Sequence, residues 1–177
     1  AYTFIATYST CIFAGLIPVL AEIDESLSLD PDDIEHRITH RTKAIMPVHM
    51  LGNPCNMDRI MEIARKHNLL VLEDSCQAAG ASYKGKKVGT IGDMGAYSLN
   101  IFKTINSGDG GLVVTNNPEF YDTAFGVHDQ VHKPNRFGVE VVARNVLGLN
   151  FSGNEITHAV SLVQFNNLEK IVATHPQ

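Results

Sequence analysis

The fold class is decided by residues 57–74, which read MDRIMEIARKHNLLVLED. Four apolar residues in it recur at the spacing of a helix with one buried face: Met57, Ile60, Met61 and Ala64. The apolar run 69–72 follows and predicts a strand that is buried on both faces. Residues 43–48 supply an earlier strand, so the stretch completes a β-α-β unit, which requires a parallel sheet.

The alternation of strand and helix continues on both sides of this unit. Further strands are predicted at residues 17–23, 95–99 and 111–114. A short helix is predicted over residues 31–38, directly behind the capping residue Asp30. The pattern predicts an α/β fold with a mostly parallel sheet flanked by helices.

The carboxyl-terminal part reads as a polar loop followed by a last helix. The loop is predicted from 129 to 144, and the helix begins near Asn154. Ser152 and Glu155 have the S-x-x-E spacing of a capping box. Four apolar residues at helical spacing predict the buried stripe of this helix: Ile156, Ala159, Val160 and Val163.

Composition is that of one ordinary globular domain. The 177 residues are 44% hydrophobic and 19% charged, and the net charge of -5 disfavours a nucleic-acid or anionic-membrane partner. Three scattered cysteines form no C-x-x-C pair, which favours reduced thiols in a cytoplasmic protein. The most apolar stretch, 11–21, is broken by Pro18 and is too short to span a membrane.

Two residues with chemical potential follow apolar segments, where open α/β sheets place ligand groups. Asp74 ends the run 69–72, although a carboxylate there is often only a turn or cap residue. Lys103 follows the strand 95–99 and precedes the glycine-rich turn 107–111, which lets backbone approach a ligand. A lysine amine at such a place is a candidate nucleophile for Schiff-base formation.

Two other patterns are weaker. Residues 80–87 nearly match a phosphate-binding loop, but Lys87 stands where a magnesium-binding hydroxyl is needed, so a lysine-rich hairpin is preferred. His128 and His132 have the spacing of metal ligands on a helix, yet Pro134 and Gly138 indicate a loop. No third ligand is placed nearby, so no metal site is predicted.

Together these residues resemble the DegT/DnrJ/StrS family of pyridoxal-phosphate-dependent sugar aminotransferases, of the aspartate aminotransferase fold type. The resemblance runs almost end to end, in segments that keep the family's order: 3–7, 18–24, 41–49, 73–77, 92–93, 98–103, 108–111 and 147–151 with 163–165. Single segments are weak signals. Their order, together with the separation of Asp74 and Lys103, makes the resemblance specific.

The resemblance implies a role for each residue at the cofactor, pyridoxal 5'-phosphate. Lys103 would carry it as a Schiff base and move protons, and Asp74 would pair with the pyridine nitrogen. The remaining implied contacts are Gln77 at the phenolic oxygen, Ser98 at the phosphate, Phe4 stacked on the ring and Asn150 at the phosphate of a neighbouring subunit. Phe4 is otherwise explained as core, Ser98 as a solvent-facing residue and Gln77 as a helix cap.

The implied activity is transfer of an amino group from glutamate or glutamine to a nucleotide-linked keto-sugar, a keto-cyclitol or a related keto-sugar acid, by a homodimer with shared active sites. Family members that act as dehydratases replace the lysine with histidine, so Lys103 favours transamination. Residues 1–177 are expected to form a single, incomplete large domain that lacks the phosphate cradle and the small domain. A scaffold that kept only the fold, and a nucleotide-binding domain using residues 80–86, are the alternatives.

Overall fold

A four-stranded sheet organises the chain, whose computed structural model describes residues 1–132 and 147–174. The described strands are β1 (Ala44–Ile45), β2 (Leu70–Asp74), β3 (Ser82–Tyr83), β4 (Lys86–Lys87), β5 (Met94–Ser98) and β6 (Gly111–Val114). The sheet has the order β1-β2-β5-β6, in which β1, β2 and β5 are parallel. Strand β6 is antiparallel to β5. The prediction of an α/β fold with a mostly parallel sheet is confirmed.

Helices connect and flank these strands. They are α1 (Ile5–Phe13), α2 (Pro31–Arg37), α3 (Met57–His67), α4 (Pro118–His128), α5 (Glu155–Asn166) and α6 (Leu168–Thr174), with one turn of 3-10 helix at Met50–Gly52. Asp30 caps α2 as predicted, because its side chain accepts the backbone N–H of Asp32. In the described parts of the chain, every helix falls short of the length and apolarity needed to cross a bilayer.

Helix α3 forms the centre of the core. Its apolar stripe is buried, with Ile63 joining three of the four residues that the sequence indicates, while Met61 packs half-buried against the same core. The stripe packs against Ile45 of β1 and Val71 of β2. The helix ends at Asn68, which adopts a left-handed conformation and turns the chain directly into β2. The β-α-β prediction for residues 43–72 is therefore confirmed, although β1 is shorter than expected.

The predicted strand at residues 17–23 is wrong. Residues 17–22 form no strand in the described structure, and in this segment only Ile23 forms a bridge, with Leu29. Ile17 is 84% exposed and Val19 is 67% exposed. A strand needs a neighbour for its N–H and C=O groups. Among the described residues, such backbone pairing reaches this segment only at its end, where the Glu22 carbonyl accepts the N–H of Asp30 at 3.0 Å and Ile23 bridges Leu29.

The last helix also differs from expectation. Its cap is Asn154, whose side chain accepts the N–H of Thr157 at 2.9 Å, whereas the Ser152 hydroxyl donates to Asp129 instead. None of the four stripe residues of α5 is buried, and Ile156 is 80% exposed. The prediction of a buried stripe is therefore wrong for the described residues, in which the less exposed positions of α5 include Thr157, Ser161 and Gln164. The predicted loop at 129–144 lies mostly outside the described residues.

The segment 80–87 is a hairpin, as predicted. Strands β3 and β4 pair antiparallel around Lys84 and Gly85, which both have positive φ, the geometry of a two-residue hairpin turn. Lys84 pairs with Asp58, and the Lys87 ammonium donates to the carbonyl of Gly80 at 2.9 Å. A phosphate-binding loop would instead lead from a strand into a helix, so this segment is not one.

Candidate active site

The carboxyl ends of β2 and β5 bring the predicted site residues to one edge of the sheet. Asp74, the last residue of β2, lies opposite Ala96 of β5, and Ser98 ends β5 two residues later. Because β6 is antiparallel, its first residue, Gly111, pairs with Ser98. The loop that carries Lys103 therefore begins at this edge, after Ser98, and the glycine-rich turn that follows it ends at the same edge, at Gly111.

The Asp74 carboxylate is held at both of its oxygens. The Thr7 hydroxyl donates to Oδ2 at 2.7 Å, and the backbone N–H of Cys76 donates to Oδ1 at 3.1 Å. The Thr3 hydroxyl lies 2.7 Å from that of Thr7. Sequence reasoning assigned no role to Thr7, because a threonine in the first turn of a helix gives no distinctive signal.

Lys103 lies on a loop whose two ends are anchored in a small core. Leu99 and Ile105, on either side of the lysine, are both buried against Leu168 of α6. The backbone N–H of Lys103 donates to the carbonyl of Asn100 at 2.9 Å. The side chain itself is half-buried. The loop therefore presents the lysine from a fixed base.

The charges of both predicted catalytic residues act on the pKa of the Cys76 thiol. Burial, reinforced by the Asp74 carboxylate, raises the pKa of the Cys76 thiol to about 12, while the positive charge of Lys103 opposes this shift. One thiol therefore lies within electrostatic reach of both the carboxylate and the amine. Both residues lie at the same edge of the sheet, although a hairpin and the strand β5 separate them along the chain.

The other predicted contacts are placed less uniformly. Gln77 accepts the N–H of Leu51 at 3.1 Å through Oε1, and the Ser98 hydroxyl accepts the N–H of Asn100 at 3.3 Å. Phe4 is 63% exposed at the start of α1, one turn before the residue that contacts Asp74. Its exposure argues against the alternative that Phe4 is core.

Asn150 is exposed and its backbone pairs with Asp129, directly after α4. No contact between described residues joins Asn150 to Asp74 or to Lys103. Within one chain, the structure therefore groups Asp74, Lys103 and Ser98 at the sheet edge and leaves Asn150 outside that group.

A buried charged network beneath Asp74 was not anticipated. Glu73 is 1% exposed and accepts the backbone N–H groups of Gly89, Ile91 and Gly92 at 2.6–2.7 Å. It also accepts His49 Nε2 at 3.0 Å. Burial acts to raise the pKa of Glu73, but these hydrogen bonds, that of His49 foremost, hold the pKa below its ordinary value.

The tautomer of His49 follows from its second contact. The backbone N–H of Cys55 donates to Nδ1 at 3.1 Å, so this nitrogen is an acceptor and the proton sits on Nε2, facing Glu73. The sequence did contain a signal for the network. Glu73 lies two residues after the buried Val71 and therefore on the same inward face of β2, where a carboxylate needs buried donors.

A surface depression of about 580 Å³ lies elsewhere, beside Gly92, Asp93 and residues 116–119. It adjoins the amino end of β5, whereas ligands of such sheets bind at the carboxyl ends. The Asp93 carboxylate there already accepts the N–H of Val71 at 2.8 Å. The edge that carries Asp74 and Lys103 therefore stays the candidate active site.

Sequence comparison decides the ancestry of this site. A sequence model of the DegT/DnrJ/EryC1/StrS aminotransferase family matches residues 1–177. The chain belongs to this family. A curated member, GDP-perosamine synthase of Escherichia coli O157:H7, is 37% identical over 175 residues, which cover 97% of this chain and 46% of that protein. The chain thus spans less than half the length of this relative.

Solved structures of aminotransferase-family proteins share the fold. An aminotransferase from Psychrobacter cryohalolentis matches with a TM-score of 0.87 and 34% identity, over 95% of this chain and 45% of that one. A GDP-4-keto-6-deoxymannose-3-dehydratase with a trapped PLP-glutamate geminal diamine matches with a TM-score of 0.85 and 29% identity, over 96% and 48% of the two chains. The expected fold type is confirmed.

Proposed function

We propose that this chain forms the cofactor-binding part of a pyridoxal-phosphate-dependent aminotransferase. One observation carries the proposal: Asp74 ends β2 and Lys103 lies on the loop that follows the neighbouring strand β5, so both residues belong to the carboxyl edge of the sheet. A carboxylate and an amine in this arrangement suit a cofactor that has a ring nitrogen at one end and an aldehyde near the other. Membership of the aminotransferase family and the PLP-glutamate adduct of the dehydratase neighbour support it.

The residues at this edge fit the cofactor. An ionised carboxylate has about four acceptor positions, and the two donors of Asp74 leave room for a protonated ring nitrogen. Ser98 uses its oxygen as an acceptor for Asn100, so its proton is available to a phosphate oxygen. Gln77 likewise engages only its Oε1 with Leu51, so its Nε2 can donate to the phenolic oxygen.

The chain's own residues account for binding and proton movement. When bound, the cofactor supplies an electron sink for the charge that develops on the substrate carbon. Lys103 would bind the aldehyde carbon of the cofactor through Nζ as a Schiff base. The free amine form of the Lys103 Nζ would serve as the base that accepts a proton at the substrate carbon, and afterwards as the acid that gives this proton up again. Asp74 would hold the proton on the ring nitrogen throughout.

Two copies of the chain would complete the site as a homodimer. Asn150 is exposed and unconnected to Asp74 within one chain, which is consistent with a contact to the phosphate held by a second copy. The uncovered apolar face of α5 supplies a surface for such an association. Residues 1–177 are then part of a large domain, and we place the protein in the cytoplasm with reduced thiols.

The amino acceptor is proposed to be a nucleotide-linked keto-sugar, a keto-cyclitol or a related keto-sugar acid, with glutamate or glutamine as the donor. The name of the Escherichia coli relative, GDP-perosamine synthase, supports a nucleotide-linked sugar. The dehydratase neighbour shows that the family also contains other chemistry. Lys103 favours transamination, because dehydratases of the family carry histidine at the corresponding position.

The test is a visible absorbance spectrum of the purified protein with pyridoxal phosphate, before and after borohydride, with the labelled peptide mapped by mass spectrometry. A visible band and a label on Lys103 are expected. Lys103→Ala should lose both, whereas Lys86→Ala, at an exposed hairpin lysine, should keep both. A label that persists in Lys103→Ala would refute the lysine assignment. A colourless wild-type protein would favour the scaffold, and thermal protection by ATP alone would favour a nucleotide-binding domain.

A further inference from the structure

We propose that Thr7 is a positioning residue that aims the Asp74 carboxylate at the ring nitrogen of the bound cofactor. The proposal rests on the proposed function, since it concerns how that site holds pyridoxal phosphate. The observation is a 2.7 Å hydrogen bond from the Thr7 hydroxyl to Asp74 Oδ2, made between residues 67 positions apart. This bond ties the first turn of α1 to the end of β2.

The hydroxyl of Thr7 donates to a different kind of acceptor from the hydroxyl of Thr10 in the same helix. A threonine inside a helix commonly donates to a carbonyl one turn earlier, as Thr10 does to Ala6 at 2.9 Å. Thr7 instead donates out of the helix to a side chain that terminates a strand. A hydrogen bond to a charged acceptor is about twice as strong as one between neutral groups. The bond therefore constrains Asp74 more than it stabilises α1.

Thr3 fixes the direction of this donation. Its hydroxyl lies 2.7 Å from that of Thr7, and each hydroxyl has only one proton. Because the proton of Thr7 goes to Asp74, the 2.7 Å contact requires the proton of Thr3 to point to Thr7, in preference to the carbonyl of Phe4 at 3.4 Å. The two threonines thus form a short chain of donors that ends on the carboxylate.

The carboxylate plane is fixed by donors on both sides. Thr7 holds Oδ2, and the backbone N–H of Cys76 holds Oδ1, so neither oxygen can rotate freely. These two donors leave acceptor capacity on the oxygens, to which a ring N–H could donate. Removal of the Thr7 hydroxyl releases one side and leaves the carboxylate free to turn away from the nitrogen.

The experiment compares two cofactors in the purified full chain: pyridoxal phosphate and its 1-deaza analogue, in which carbon replaces the ring nitrogen. Dissociation constants are measured by spectroscopic titration for the wild type, Thr7→Val, Thr7→Ser and Thr10→Val. Thr7→Val removes the hydroxyl at nearly constant volume, and Thr7→Ser restores it. Thr10→Val makes the same chemical change one turn away without touching Asp74.

Thr7→Val is expected to weaken pyridoxal phosphate about tenfold, the effect of one lost hydrogen bond to a charged group, and to leave the deaza analogue unchanged. Thr7→Ser and Thr10→Val should both retain the wild-type preference. Equal weakening of the two cofactors in Thr7→Val would mean a merely structural role and would overturn the proposal, as would unchanged binding of both. Wild-type protein that binds neither cofactor would instead refute the proposed function itself.

Discussion

The substitution Glu73→Gln tests whether the buried network beneath Asp74 supports the fold. Glu73 Oε1 accepts the N–H groups of Ile91 and Gly92, and Oε2 accepts Gly89 and His49. A glutamine keeps the size of the side chain but turns one of these oxygens into an NH₂ donor. Whichever oxygen is replaced, two of the four donors face another donor.

The expected loss is about 4 kcal/mol in the free energy of unfolding, since each buried donor left unpaired costs roughly 2 kcal/mol. His49 cannot avoid this loss by moving its proton from Nε2 to Nδ1, because Nδ1 already accepts the N–H of Cys55. The measurement is urea unfolding at pH 7 and at fixed protein concentration. Glu62→Gln is the matched control. It lies in an exposed ion pair with Arg59, so its effect should be far smaller.

The effect should also depend on pH in one direction. The folded pKa of Glu73 lies below its ordinary value of 4.5, so the folded state favours the ionised carboxylate. Its contribution is present in full above pH 4.5 and is lost as the pH falls through the lowered folded pKa. The gap between wild type and Glu73→Gln should therefore shrink on acidification below pH 4.5. A stability of Glu73→Gln within 1 kcal/mol of the wild type, or a gap that does not change with pH, would contradict the assigned network.

Three further results are expected. Gly95→Ala should destabilise the chain by about 3 kcal/mol in a thermal or urea melt, because the added Cβ would lie 2.0 Å from the carbonyl oxygen of Gly89. If this variant unfolds like the wild type, Gly89 does not pack against Gly95. Alkylation of Cys76 should rise about tenfold per pH unit between pH 8 and 11, since its pKa is about 12, and Asp74→Asn should speed the reaction at pH 8; a rate independent of pH would contradict the raised pKa of this half-buried thiol. Val163→Asp should reduce self-association measured by light scattering, and an unchanged mass would exclude the α5 face from the interface.

The sequence predicted best those elements whose stabilising contacts lie close by in the chain. Helix α3 has its cap, its buried stripe and the strands that it covers within residues 43–74, so its pattern and its environment agree. The segment 17–23 and the helix α5 show equally clear apolar patterns. These two predictions failed because an apolar pattern indicates which residues could be buried, whereas their burial depends on which other elements pack against them in the folded chain.

The same distinction separates the site residues. Asp74 and Lys103 could be proposed from the sequence because each follows an apolar strand, and the edge of a parallel sheet is a property of the strand order. Thr7 lies at that edge through a contact with a residue 67 positions away, and His49 lies beneath it through a contact across 24 positions. No local periodicity in the sequence reveals contacts over such separations. Glu73 could have been recognised, because it occupies an inward position of a strand whose other inward residue is Val71.

Two consecutive carboxylates on β2 show why only one of them suits a ligand. Strand alternation turns Glu73 inward, where four donors fill its acceptor positions and exclude any further partner. The next residue, Asp74, points to the other side and receives two donors, which hold its plane and leave two positions open. The hydrogen bonds of Glu73 hold residues 89–92 against β2, and this packing keeps the backbone of Asp74 in a fixed position. The division of roles thus follows from a one-residue step along a strand: the satisfied carboxylate stabilises the edge, and the partly satisfied one can accept the ring nitrogen.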